Sequence, residues 1–289
     1  MPIFNSPFRA SKEVITHTVR AKYYIDPEGS PKLACIQTFN QPRFTEAGWE
    51  DTEKEFTQDS PSEIISAEEE EELNENQNGS LSDLERATRR ARKNAFDMIM
   101  CNKDLDMFAT FTYSPDKVED KSSYDECYKY LGTWLRNRVQ RNGLKYVCVP
   151  ERTKKGDIHF HGIMNSSALK LVRATSPYNN RPLTHNGKPL YNIADWTKGF
   201  TSVEPITKLN ADDDERTAVS KYIFKYMGKQ NGQKIGGRYC LIGGVLKRPV
   251  YVYGESPDEF LTEEERAQAS YTNHVELSSG LVYDEWSFT

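Results

Sequence analysis

His159 and His161 stand two residues apart in Asp157-Ile-His-Phe-His-Gly162, a stretch with the apolar content of a strand. Strand alternation turns both imidazoles to one face, where they are a ready pair of metal ligands. The preceding Lys154-Lys155-Gly156 reads as a three-residue hairpin loop, a type I turn closed by a glycine at positive φ. In that register Thr153 pairs with Asp157 and Glu151 with His159. Glu151 then joins the histidine face at about 5 Å between Cβ atoms. Two imidazoles and a carboxylate leave positions open on Mg²⁺ or Mn²⁺ for a phosphate oxygen. Zinc is the alternative ion, since His₂Glu is also a hydrolytic zinc set. A two-residue loop would shift the pairing by one and turn Glu151 away, so the site depends on Gly156. His17, His185 and His274 have no such companions in the sequence and read as ordinary.

A second set of reactive groups lies in Ser220-Lys221-Tyr222-Ile223-Phe224-Lys225-Tyr226-Met227-Gly228-Lys229. On a helix turning about 100° per residue, Val219, Ile223 and Met227 form the core face. Tyr222 falls on its rim beside Lys225 and Lys229, and Tyr226 lies closer to the core. A tyrosine hydroxyl with a pKa near ~10 is a poor nucleophile. Neighbouring cations and a metal-polarised phosphate would activate it.

These groups need a frame. Residues 14–24 and 33–39 read as strands joined by a turn at Asp26-Pro-Glu-Gly-Ser-Pro-Lys32. A helix follows from Ser82, where Ser82 and Glu85 make a capping box. Met107–Tyr113 is a strand, and a second helix spans roughly 122–141, ended by Asn142-Gly143. Strands are expected at 145–151, 157–164 and 200–206, with an irregular polar segment at 165–198 between the last two. A helix from about 212 to 229 and glycine-rich strands up to 254 complete the pattern. The expected fold is α+β, a central and mainly antiparallel sheet flanked by helices. The expected domains are a β extension (1–45), an acidic disordered or loosely packed insertion (46–80), a central basic α+β domain (81–254) and an acidic tail (255–289).

The formal net charge of −5 conceals a strong asymmetry. Residues 1–80 carry 7 basic and 16 acidic side chains, residues 81–254 carry 30 and 18, and residues 255–289 carry 1 and 9. A basic centre between acidic flanks suits a polyanion partner. No apolar run approaches the ~20 residues of a membrane span, and the N-terminus lacks the apolar core of a signal peptide. Five cysteines without a CxxC spacing argue against a disulfide framework or structural zinc, and for a reducing compartment.

Together the motifs resemble rolling-circle replication initiators of the HUH endonuclease superfamily, found in small single-stranded DNA phages and plasmids. Phe108–Tyr113 looks like the family's first motif. His159 and His161 look like its histidine–hydrophobic–histidine motif, with Glu151 as the acidic third ligand. Tyr222-Ile-Phe-Lys-Tyr226 looks like its tyrosine motif, in the spacing of microvirus-type members. The resemblance covers roughly 82–250 and implies an RRM-like, palm-like nuclease fold. It implies that the protein nicks single-stranded origin DNA and forms a 5′-phosphotyrosyl bond through Tyr222, assisted by Lys225. Tyr226 would serve a second, rejoining attack. No Walker A motif is present, so unwinding would fall to a host helicase and synthesis to a host polymerase, in a bacterial cytoplasm. The alternatives are a non-catalytic nucleic-acid-binding protein and an HUH relaxase or transposase.

Candidate phosphate contacts are Arg89, Arg90 and Lys93 on the first helix and Arg136, Arg138 and Arg141 late in the second. Lys154 and Lys155 in the hairpin turn and Lys221 and Lys229 beside the tyrosines complete the set. Tyr113, Tyr178, Tyr191 and Trp196 are candidate stacking surfaces for unpaired bases.

Overall fold

The computed structural model describes residues 14–25, 29–46, 53–56, 83–206, 223, 234–276 and 280–288. The chain divides into two compact units, one of residues 1–23, 33–52 and 250–288, the other of 24–32 and 53–249. The elements run β1 (Val14–Ile25), β2 (Pro31–Glu46), β3 (Glu53–Phe56), α1 (Asp83–Cys101), β4 (Leu105–Phe111), α2 (Tyr124–Asn142), β5 (Tyr146–Arg152) and β6 (Ile158–Asn165). Then come β7 (Leu171–Arg173), β8 (Thr184–His185), β9 (Lys188–Pro189), β10 (Tyr191–Ile193), β11 (Thr201–Pro205) and β12 (Leu241–Lys247). The last strands are β13 (Val250–Gly254), β14 (Tyr271–Glu276) and β15 (Val282–Ser287).

The second unit is built on an eight-stranded sheet in the order β3-β12-β5-β6-β4-β11-β10-β7. The described pairings in it are antiparallel, as an α+β fold with a mainly antiparallel sheet requires. Each strand has two usable faces, and both are covered. Phe111 on β4, Tyr146 and Cys148 on β5, and Phe160 and Met164 on β6 point to one side, where Cys127, Leu131, Trp134 and Leu135 of α2 cover them. Phe108, Val147, Val149 and Ile163 point to the other, where Ala95, Met98 and Ile99 of α1 cover them. Ile223 is helical, fully buried, and packed in this second layer. Burying one such side chain is worth about 1.5–3 kcal/mol.

The caps of α2 follow the sequence. The Ser123 side chain accepts from the Glu126 amide, and Gly143, at φ 67°, donates to the carbonyl of Val139. Ser82 and the Glu85 side chain, the expected capping box of α1, lie outside the described residues.

The first unit holds a five-stranded sheet in the order β13-β1-β2-β15-β14. Residues 255–289 differ here from the expected acidic tail, because they contain β14 and β15, paired to each other and, through β15, to β2. Buried Val275, Leu281 and Tyr283 anchor this hairpin, Glu285 on the Tyr283 side accepts from the buried Gln37 amide, and Glu276 is exposed. The N-terminal strands therefore complete a sheet with C-terminal ones. Of the acidic insertion at 46–80, residues 47–52 and 57–80 lie outside the described residues, and 53–56 form β3 against β12. The irregular segment 165–198 contains β7 to β10, with β8 and β9 pairing as a small hairpin. The five cysteines are free thiols. Among the described residues no helix is long and apolar enough to cross a membrane.

Candidate metal centre

The hairpin of β5 and β6 forms in the register that the glycine loop dictates. The amide of Thr153 donates to Asp157 O and that of Gly156 to Thr153 O, both at 2.9 Å. Gly156 sits at φ 94°, a conformation open to glycine and costly for other L-residues. Glu151 is paired with His159 and Val149 with His161. Glu151, His159 and His161 therefore share one face, and one ligand atom from each lies within 4.8 Å of the others.

His161 is buried and held on both ring nitrogens. Its Nε2 lies 2.6 Å from Glu151 Oε2 and its Nδ1 lies 3.1 Å from Thr110 Oγ1. The Phe108 ring stacks on it, with centroids 5.9 Å apart and planes 13° from parallel. The His159 ring is 6.5 Å from that of His161. Burial, and then the neighbouring His161, hold the pKa of His159 below its ordinary value, against the opposing pull of Glu151. His159 is thus neutral at neutral pH, the form that ligates a metal. Two imidazoles and a carboxylate whose ligand atoms converge within 4.8 Å fit a divalent cation.

Thr110 belongs to the site and has no signal in the sequence. It lies opposite His161 because β4 pairs with β6. A threonine hydroxyl both donates and accepts. It can donate to Nδ1 when Nε2 carries the proton toward Glu151, and accept from Nδ1–H when Nε2 is a ligand. That second arrangement fixes the tautomer that a metal needs.

The sheet sorts the candidate DNA contacts. Arg89, Arg90 and Lys93 lie on α1, the helix that covers the face carrying the triad, and Arg89 is exposed. Lys154 and Lys155 are exposed in the turn next to Glu151 and His159. Arg136 is exposed on α2, which covers the opposite face, so the sheet separates it from the triad. Arg138, on the same helix, is engaged with Asp195 and lies over the Trp134 ring. Tyr222, Tyr226, Lys221, Lys225 and Lys229 lie outside the described residues.

Two of the expected stacking surfaces are core residues instead. Tyr113 and Trp196 are buried at 6 % and 7 % exposure, packed against each other and against Phe160 and Phe111. The Tyr113 hydroxyl donates to Cys127 O, and Trp196 Nε1 donates to Thr112 O. Their aromatic area is worth more inside the α2 layer than in solvent. Tyr191 is half-buried under Arg173, and Tyr178 is 95 % exposed. His185 and His274 do have partners, Glu204 at 2.9 Å and Asp284 at 2.6 Å.

No curated protein and no solved structure matches the chain. Residues 106–231, which include all but the first residue of β4, the β5–β6 hairpin with its Glu151, His159 and His161, and the two tyrosines, match the family model of replication-associated protein ORF2/G2P, and this supports a role in DNA replication.

Proposed function

We propose that the protein initiates replication by nicking single-stranded origin DNA through a tyrosine nucleophile beside the Glu151–His159–His161 centre. The observation that carries the reading is the convergence of those three ligands within a region similar to replication-associated proteins. A second observation supports it. Ile223 is buried on the same sheet face as the triad, and Tyr222 is its covalent neighbour, one Cα step of about 3.8 Å away.

Glu151, His159 and His161 would hold the cation, either Mg²⁺ or Mn²⁺. Once bound, it would polarise a non-bridging oxygen of the scissile phosphate as a Lewis acid. Thr110 fixes the His161 tautomer. The Tyr222 oxygen attacks phosphorus and gives up its proton. The bond to the 3′-oxygen breaks, and that oxygen leaves as a free 3′-hydroxyl after taking a proton. The product is a 5′-phosphotyrosyl link that stores the phosphodiester energy for rejoining. Lys225, with Lys221 and Lys229, favours the phenolate and binds phosphate. Tyr226, four residues after Tyr222 in the sequence, would make the second attack. Arg89, Arg90, Lys93, Lys154 and Lys155 supply salt-dependent affinity for the strand. A host helicase and polymerase would act on the opened origin.

The test incubates the full chain and Mn²⁺ with a labelled pool of single-stranded oligonucleotides of randomised sequence, resolved on a denaturing gel. The expected result is a covalent protein–DNA band that is lost in Tyr222→Phe and in His161→Ala. Cleavage without a covalent band would indicate hydrolysis by water. Binding without cleavage would favour a non-catalytic binder. Loss of the band in Tyr226→Phe but not Tyr222→Phe would reassign the nucleophile.

A further inference from the structure

Phe200 is a large apolar side chain left 76 % exposed one residue before β11. Single exposed apolar residues are common and by themselves carry no meaning. Three features of its surroundings set this one apart.

The first is its face. β11 pairs with β4 so that Ser202 lies opposite Thr110 and Thr201 opposite Phe111, and β4 pairs with β6 so that Thr110 lies opposite His161. Thr201 and Val203 are buried toward α2. By alternation, Phe200 and Ser202 take the other face, that of His159 and His161. Continued by one residue, the two registers align His159, Thr112 and Phe200 across three adjacent strands. With strands about 4.8 Å apart, Phe200 stands roughly 10 Å from His159 at the backbone.

The second feature is the floor between them. Thr110, Thr112 and Ser202 are the side chains nearest on that face, and all are short and hydroxylated. No large side chain of these three strands stands between the exposed ring and the triad.

The third is rigidity. The Phe200 carbonyl accepts from the Thr112 amide at 2.9 Å and from the Thr112 hydroxyl at 3.0 Å. The next ladder bond, Ser114 N to Lys198 O, is 3.0 Å. Gly199 has no room for a side chain, because a Cβ there would collide with the Thr112 carbonyl and the Tyr113 Cα. The backbone is thus pressed onto the end of β4, and the ring is presented from a fixed base.

An exposed ring on a rigid base, across small polar side chains from a phosphate-activating centre, is a stacking surface for an unpaired base. We propose that Phe200 stacks on a nucleobase of the single strand whose phosphate lies at the triad, one to three nucleotides from the scissile position. This rests on the single-strand nicking reading. On a strand that rises about 3.4 Å per nucleotide along its axis when stacked, and more when extended, the ~10 Å gap corresponds to that number of nucleotides. Phe200 binds and positions the strand, and takes no part in the bond changes.

The experiment compares two labelled probes by fluorescence anisotropy on the full chain. One is a twenty-residue oligo-dT. The other is a strand of the same length made of abasic units, which keeps the phosphates and lacks the bases. Phe200→Ala is expected to weaken oligo-dT binding by about 5- to 150-fold, the measured range for one base–aromatic stack. Binding of the abasic strand and the slope of affinity against salt should stay unchanged, since no phosphate contact is removed. Phe200→Trp should restore the affinity, with its indole fluorescence quenched on binding, and Phe200→Leu should not. Equal oligo-dT affinity for wild type and Phe200→Ala would overturn the proposal, as would equal losses on both probes or full activity of Phe200→Leu. Failure of the wild-type chain to bind oligo-dT at all would instead overturn the single-strand reading beneath it. A wild type that binds but forms no covalent band would remove the nicking step and leave the stacking result standing.

Discussion

Thr110→Val isolates the step by which the fold prepares His161 for a metal. Valine keeps the branched shape on β4 and removes the hydroxyl that lies 3.1 Å from His161 Nδ1. His161 is buried, so its Nδ1–H loses an acceptor away from water, a loss of about 1–3 kcal/mol. The ring can avoid that loss by keeping its proton on Nε2, where it faces Glu151 Oε2 at 2.6 Å. It is then unavailable as a ligand. Either route costs metal affinity. The range corresponds to roughly 5- to 150-fold, which brackets the 10–100-fold typical when an orienting partner of a ligand histidine is removed. The assay is calorimetric titration of the full chain with Mn²⁺ at pH 7.5, where burial keeps His159 neutral. Thr110→Ser, which retains the hydroxyl, should bind within a few-fold of wild type. Nitrogen NMR of the histidine side chains should show the Nδ1–H tautomer of His161 in the metal-bound wild type. If Thr110→Val stays folded and binds Mn²⁺ as tightly as wild type, Thr110 does not hold the ligand tautomer and the reasoning fails.

Two further predictions follow from backbone and burial. Gly156→Val puts a branched residue at φ 94° where space is open, so only the backbone is strained, by about 1–2 kcal/mol. Its melting temperature and Mn²⁺ affinity should both fall, with Gly156→Asn less affected, and wild-type values in the valine variant would show that the loop does not set the Glu151 register. His17 in the first unit is 4 % exposed, with the Tyr253 ring 4.5 Å away. Burial, reinforced by Arg20 and Arg43, lowers its pKa to about 4. A histidine lowered in the folded state adds stability that is complete above its ordinary value of 6.5 and is lost as the pH falls toward 4. At pH 4.5 the loss is on the order of 2–3 kcal/mol relative to pH 7. Denaturant unfolding at the two pH values should show it in wild type and a smaller pH dependence in His17→Phe, and matching profiles would exclude His17 as the cause.

The parts of this protein that the sequence determines alone are those made by residues close along the chain. The β5–β6 hairpin is one, since Gly156 closes a loop in which Thr153 meets Asp157 and everything behind it falls into register. Glu151, His159 and His161 span eleven positions of one hairpin, so their meeting needs turn geometry and alternation and nothing from the rest of the fold. α2, with Ser123 and Gly143 at its ends, is another.

What the tertiary structure decided are the pairings whose partners are far apart in sequence. Thr110 meets His161 only because β4 lies beside β6, and no local rule chooses that neighbour. α1 and α2 are both amphipathic and basic, and only the assembled sheet puts α1 on the triad's face and α2 behind it, which separates Arg136 from the centre. Tyr113 and Trp196 carry the composition of base-stacking residues, and the α2 layer buries them, while Phe200 is left outside. An acidic C-terminal stretch reads as a tail until Val275, Leu281 and Tyr283 find a sheet begun more than two hundred residues earlier. The physical division is between turn and capping geometry, which acts over a few residues, and apolar burial, which takes its partners wherever the closed chain presents them.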